Sequence, residues 1–162
     1  MKMSIWFCVV CLSAALRLQA AEIAWQTDFE TLSGWYDNKT NSGFMAKIDQ
    51  PESSVLRVTQ QGQDSWGKVA VVVENVDLNK TAILQTKVNK VDENSAIKVC
   101  VASLDWSEFY EVIPRTSADG VHTGDIKKAT GWNGTKSFNV VLVVEGKEKA
   151  AWFKHIQIGS KS

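Results

Sequence analysis

The chain has 162 residues, the size of one domain. Charged residues make up 22% and hydrophobic ones 44%, which excludes a disordered chain and a multi-pass membrane protein. Lys and Arg number 18 and Asp and Glu also 18, so neither nucleic acid nor an anionic membrane surface is the expected partner.

Residues 1–20, MKMSIWFCVVCLSAALRLQA, have the layout of a secretory signal peptide. Lys2 is the positive start, Ile5–Leu16 the apolar stretch, and Ala20 and Ala21 the small residues around the cut. The stretch is too short for a stable transmembrane helix, and Arg17 interrupts it. Neither Cys8 nor Cys11 is directly preceded by the small residue that a lipoprotein signal needs. Taking these 20 residues from 162 leaves 142, and losing Lys2 and Arg17 moves the net charge from zero to −2. Six Trp remain, but only one Cys, Cys100, so the mature chain forms no internal disulfide. Cys100 lies in the apolar run IKVCVAS and reads as a small buried hydrophobe.

Residues 21–162 read as a single all-β domain. Two-residue alternation predicts nine strands. They are 24–29 (Trp25, Thr27 and Phe29 in phase), 44–48, 55–59, 69–73, 81–88, 97–102, 109–113, 138–144 and 151–158 (Trp152, Ile156 and Ile158 in phase). The 69–73 run is apolar on both faces, as in a strand covered on both sides. Turn chemistry separates the strands at Asn41-Ser42-Gly43, Asp92-Glu93-Asn94, Asp119-Gly120 and Glu145-Gly146. One helical turn is expected at 123–129, capped by Thr123. Pro51 and Pro114 fall at the edges of runs. Such a series predicts an antiparallel β-sandwich of the jelly-roll type.

Three stretches sharpen this reading. The opening has Trp25-Gln-Thr-Asp-Phe29-Glu30, then Ser33-Gly34-Trp35. The middle has Trp66-Gly-Lys-Val-Ala-Val-Val-Val73. The end has Gly131-Trp132-Asn-Gly134, Phe138–Val144 and Ala151–Ile158. Their order resembles the galactose-binding-like β-sandwich modules, a superfamily that includes many carbohydrate-binding modules. The resemblance covers nearly all of the mature chain, and its motifs are mostly structural. Many such modules hold a structural calcium through an acidic residue in the last strand. This chain has Lys154 and His155 there, with Glu30 at the other end, so the calcium is expected to be absent or differently ligated, and no other cofactor is expected.

A sugar packs its C–H face on flat aromatic rings and its hydroxyls on planar polar groups. Aromatic and polar residues alternate in 35–38, 63–66, 105–110 and 132–133. The candidate ligand residues are Trp106, Tyr110, Trp66, Trp132, Asp105, Arg115 and Asn133. Trp106 leads, standing in an acidic turn four residues before Tyr110. Trp132 suits either a plug at the sandwich end or a ligand platform, and the exposure of Trp66 stays open. Arg115 and Glu111 flank the Tyr110 strand and suit either hydroxyl recognition or an exposed ion pair. Trp25, Trp35 and Trp152 read as structural. His122 reads as a solvated loop residue and His155 as outward-facing.

No catalytic residues are assigned. Ser65 stands three residues after Gly62, where the nucleophile-elbow motif needs two, and a loop leading into a strand is the wrong context. Metal-protease, phosphate-loop and dinucleotide motifs are missing from the mature sequence. Asn38, Asn79 and Asn133 open N-glycosylation sequons. The expected protein is therefore a secreted or periplasmic non-catalytic module. It would bind an oligo- or polysaccharide through exposed aromatics and polar loop residues, without membrane insertion after signal cleavage. The alternative is an extracellular or envelope interaction subunit that uses the same sandwich to hold a protein partner.

Overall fold

The computed structural model describes residues 21–37, 45–63 and 65–161. The expected signal peptide (1–20), the Asn41–Gly43 turn, Asn38, Phe44 and Asp64 lie outside the described residues. The elements in chain order are β1 (Ile23–Thr27), β2 (Trp35–Asp37), β3 (Ala46–Glu52), β4 (Val55–Gln60), β5 (Trp66–Asp77) and β6 (Ile83–Val91). There follow β7 (Ala96–Ala102), β8 (Phe109–Thr116), β9 (Gly120–Asp125), α1 (Ile126–Thr130), β10 (Thr135–Glu145) and β11 (Ala150–Gly159). No helix among the described residues is long and apolar enough to cross a membrane.

The strands form two antiparallel sheets. One runs β3-β4-β11-β6-β9, with β1 also on β11; the other runs β2-β5-β10-β7-β8. Strand β11 pairs with β6 along one side. Its other side is shared by β4, over 150–153, and β1, over 156–159. The chain changes sheet at most connections, so neighbouring strands are mostly distant in sequence. Both prolines lie inside edge strands, Pro51 in β3 and Pro114 in β8, where a missing N–H costs little.

Period-two alternation puts Val69, Val71 and Val73 of β5, Ile97, Val99 and Val101 of β7, and Phe138, Val140, Leu142 and Val144 of β10 between the sheets. They meet Leu56, Val58, Leu84, Val88, Phe153, Ile156 and Ile158. The opposite parity of the five-stranded sheet is buried too. Ala70, Cys100, Ala102, Val141 and Val143 form a second apolar cluster on its outer face, with Trp66 and Trp106 packed against it. Cys100 is thus a buried small residue.

Four local expectations need correction. Strands β2 and β9 were not anticipated, β2 because three residues carry no periodicity and β9 because its glycines read as a loop. His122 accordingly sits on a strand, its Nε2 2.9 Å from the Ala118 carbonyl oxygen. The helix starts at Ile126 rather than 123, because Thr123 is held in β9 opposite Gln85. Its cap is Asp125, whose carboxylate accepts the Lys128 N–H, and Gly131 closes it at φ 73°. Finally, Trp152 is not in phase with Ile156 and Ile158. Register shifts around Phe153 turn that ring into the core and leave Trp152 on the outside, under Lys90 at 4.4 Å from the ring centroid.

Candidate functional site

Register builds the outer face of the five-stranded sheet row by row. Trp66 stands beside Glu145, which faces Ala96. Lys68, Val143 and Lys98 form the next row. Tyr36, Ala70, Val141, Cys100 and Glu111 form the third. Val72, Asn139, Ala102 and Phe109 form the fourth. The middle of this face is a low floor of Ala, Val and Cys. Longer side chains stand around it: Trp66 at one corner, Tyr36 at the β2 edge, Phe109 at the β8 edge. Tyr36 and Phe109 are each 39% exposed.

Trp106 reaches this floor from the β7–β8 loop. Its ring lies nearly parallel to Phe109, at 21° and 6.4 Å between centroids. The Lys68 ammonium is 4.6 Å from the Trp106 centroid and 5.7 Å from that of Phe109. Burial lowers the pKa of Lys68. Across the face, the Tyr36 hydroxyl donates to Asn139 Oδ1 at 2.8 Å, and Asn139 Nδ2 donates to the Ser103 carbonyl at 2.9 Å. Burial raises the Tyr36 pKa, and the hydrogen bond with the Trp106 side chain partly offsets this.

The loop that carries Trp106 is held by Asp105. Its carboxylate accepts from Ser103 Oγ (2.6 Å), Ser107 Oγ (2.8 Å) and the Ser107 N–H (3.1 Å). These bonds, the Ser103 hydroxyl first, bring the Asp105 pKa down to about 2. The staple supports Trp106 at φ 61°, a left-handed conformation costly for a residue with a Cβ.

The other end of the face carries an ion network. Lys98 lies 3.8 Å from Glu111 and 3.6 Å from Glu145, and Arg115 Nε donates to Glu145 at 2.5 Å. Lys98 also sits 5.4 Å from the centroid of Trp66.

The seven sequence candidates therefore separate. Trp66, Trp106 and Arg115 meet on the outer face, and Asp105 shapes the loop beside it. Tyr110, Trp132 and Asn133 lie elsewhere. Tyr110 and Trp132 are half-buried against the main core in an edge-to-face pair at 5.6 Å and 87°. Both donate to Glu108 Oε1, Tyr110 at 2.9 Å and Trp132 at 3.3 Å. Asn133 Nδ2 turns back to the Gly131 carbonyl at 3.1 Å. This group closes one end of the sandwich. Lys68, Lys98, Asn139 and Glu145 were not singled out from the sequence. The signal was there: Trp66, Lys68, Ala70 and Val72 form one parity of β5, an apolar floor flanked by a ring and a cation.

Two other places offer chemistry. On the outer face of the six-stranded sheet, Asp28 Oδ1 meets His155 Nδ1 at 2.5 Å, His155 Nε2 is 3.0 Å from Gln157 Oε1, and Gln157 Nε2 donates to Gln85 at 2.7 Å. Near the first strand, Gln50 Nε2 donates to the carbonyl of Phe29 at 2.6 Å and approaches that of Glu30 at 3.5 Å. An open groove of about 630 Å³ beside α1, lined by Val112, Pro114, Thr123 and Lys128 among others, has no aromatic wall.

No family model and no curated protein matches this sequence. Solved structures match its fold. The family 11 carbohydrate-binding module of the cellulosomal cellulase Lic26A-Cel5E of Clostridium thermocellum superposes over 86% of this chain and 95% of the module, with a TM-score of 0.54 and 12% identity. The family 11 module from the same organism, in complex with a β-1,3-1,4-mixed-linked tetrasaccharide, gives 86%, 96%, 0.52 and 11%. PfGH50B matches over 79% of this chain with a TM-score of 0.53 and 14% identity, but the matched part is 22% of its own chain. The fold is thus the β-sandwich of the carbohydrate-binding modules, as the sequence resemblance implies.

Proposed function

We propose that this protein is a secreted, non-catalytic module that binds an oligo- or polysaccharide on the outer face of the five-stranded sheet. One observation carries the reading: Trp66, Trp106, Phe109 and Tyr36 stand on one face around a buried apolar floor, with the Lys98–Glu111–Glu145–Arg115 network at one end of it. Rings take the C–H faces of sugars, while charged side chains take their hydroxyls. A protein-binding surface is expected to be flatter and more continuously apolar. The fold likeness adds support, because one matching module is described with a bound tetrasaccharide. In this reading Trp66, Trp106 and Arg115 contact the ligand, and Asp105 positions Trp106. Tyr110, Trp132 and Asn133 serve the sandwich end.

The same reading needs no calcium. His155 is engaged by Asp28, Lys154 is exposed, and the Gln50 amide occupies the Phe29 and Glu30 carbonyls with its own N–H groups. A hard cation prefers an oxygen cage that these side chains do not supply.

The test is tryptophan fluorescence titrated with a panel of soluble oligosaccharides. Binding should be saturable, lost in Trp66→Ala and Trp106→Ala, and retained in Trp132→Ala. Saturable binding lost only in Trp132→Ala would move the site to the sandwich end. No binding to any sugar, with capture of a protein from the source organism lost in Trp106→Ala, would favour the interaction-subunit alternative.

A further inference from the structure

Given that reading of the first face, we infer that the chain carries a second, weaker glycan seat on the opposite side of the sandwich, built on Trp152. In regular alternation with Ile156 and Ile158 this ring would point into the core. The register shifts on either side of Phe153 turn it outward instead, and Phe153 takes the core place. A bulge is a common device for re-aiming a side chain at a site. The arrangement gives up full burial of the largest ring on β11, which packing alone does not explain. Register then lines up one row across four strands: Asp49 of β3, Arg57 of β4, Trp152 of β11 and Lys90 of β6. These side chains share the outer face, because their chain neighbours Ile48, Leu56 and Phe153 pack inward.

The row has the two parts that a sugar unit needs. Trp152 supplies the ring, and Arg57 stands one strand away, about 5 Å. Its Nε donates to Asp49 Oδ1 at 2.7 Å and its Nη2 to Asp49 Oδ2, which fixes the guanidinium and leaves the rest of its N–H groups to donate. A pyranose stacked on the ring brings the hydroxyls on that side within reach of a planar ion pair that both donates and accepts. Lys90 lies over the ring, 4.4 Å from its centroid, but as a light cover. Its side chain is 62% exposed, and its ammonium is 3.7 Å from Asp92. Exposed cation–π contacts and ion pairs are weak enough for the C–H face of a sugar to replace them. Trp152 is one ring, where the first face offers Trp66, Trp106, Phe109 and Tyr36, so filling this seat takes at least about tenfold more ligand. With a seat on each outer face, one chain can hold two glycan strands.

The experiment is heteronuclear NMR of the tryptophan indole N–H signals in the purified protein, titrated with the same panel of soluble oligosaccharides, cello-, manno- and xylohexaose among them. The Trp152 signal is the one missing from Trp152→Phe. It should shift saturably with at least one sugar, at about tenfold or more the concentration that moves Trp106, and should still do so in Trp106→Ala. Arg57→Gln should weaken the Trp152 response at least about threefold and leave the Trp106 response unchanged. A long soluble polysaccharide of the same repeat should become more viscous when the parent protein cross-links it, and not with Trp152→Ala. A Trp152 signal that stays still while Trp106 responds would overturn this inference and leave the first face intact. So would a Trp152 shift that disappears in Trp106→Ala, since it would report the first face and not a seat of its own. A parent-like Trp152 response in Arg57→Gln would overturn the part given to the guanidinium. A response of Trp152 alone would uphold this seat and overturn the first. If no signal moves with any sugar, both readings fall.

Discussion

Removing the Trp106 ring should uncover Cys100. That thiol is fully buried on the floor of the outer face, where Trp66 and Trp106 pack over its cluster. Burial pushes its pKa up to about 12, from an ordinary 9.0. Only the thiolate attacks a disulfide reagent. Going from 12 to 9.0 multiplies the thiolate fraction at pH 8 about a thousandfold, before any gain in access. Trp66 still covers part of the floor, so Trp106→Ala should speed the reaction at least about tenfold rather than by the full factor. The assay is the rate of reaction with an aromatic disulfide at pH 8, using protein without residues 1–20, in which Cys100 is the one thiol. Truncating a fully buried Trp costs about 3–5 kcal/mol, and the half-buried Trp106 should cost about 1–3 kcal/mol, leaving the fold in place. Alanine inherits the backbone strain at φ 61° and glycine does not. Trp106→Gly should therefore be about 1 kcal/mol more stable than Trp106→Ala. Trp132→Ala should leave the thiol protected. An unchanged rate in a folded Trp106→Ala variant would refute the roofing of the floor by this ring. An equal rise in Trp132→Ala would show that reaction follows global opening instead.

The same thiol makes stability pH-dependent. Its folded pKa lies above its unfolded one, so its contribution is complete below pH 9 and is lost as pH rises toward 12. At pH 10 the loss is on the order of 1 kcal/mol, and urea denaturation of Cys100→Ala should show a smaller alkaline decline than the parent. Asp105 has the opposite sign: its folded pKa of about 2 keeps the loop staple intact at neutral pH and releases it only as pH falls below 4 toward 2. Asp105→Ala should weaken glycan binding at pH 7 in the fluorescence titration while leaving the melting temperature within a few degrees; binding equal to the parent's would refute the positioning role. Treatment with a calcium chelator should leave the thermal midpoint unchanged, and a fall on chelation, reversed by calcium, would refute the Gln50 reading. Gly124→Ala should lower thermal stability by several degrees, because a Cβ there collides with the Val112 carbonyl where β9 crosses β8, and an unchanged midpoint would show that the contact can relax.

The sandwich was legible because alternation and turn chemistry are local, and nearly every long strand carries both. What escaped has physical causes. Strand β2 is three residues long, and Thr123 is claimed by pairing with Gln85 across a sheet that no local pattern reveals. Trp152 left the core because the register shifts beside Phe153, and such a shift leaves no mark in composition. The candidate site was legible by half. Trp66 and Trp106 announce themselves as rings in polar turns. Tyr110 and Trp132 look the same in sequence, yet their polar atoms both end on Glu108. The turn context of an aromatic residue therefore does not separate a ring laid on the outer face from one packed against the main core; the parity of the strand it packs on does.

Parity also explains why the outer face resembles core in the sequence. Ala70, Val141, Val143, Cys100 and Ala102 are buried without facing the other sheet. On β5 and β7 they are smaller than their inner-facing neighbours: Ala70, Cys100 and Ala102 stand next in chain to Val69, Val71, Val99 and Val101. Larger residues on this floor would lift Trp66 and Trp106 away from the sheet. Small apolar residues keep it low, let Trp106 lie down on it, and leave tall polar side chains to rise at the margins. The doubly apolar strand that first reads as a mere central strand is therefore the one that seats two rings on the outside of this sheet, the face proposed above for a ligand.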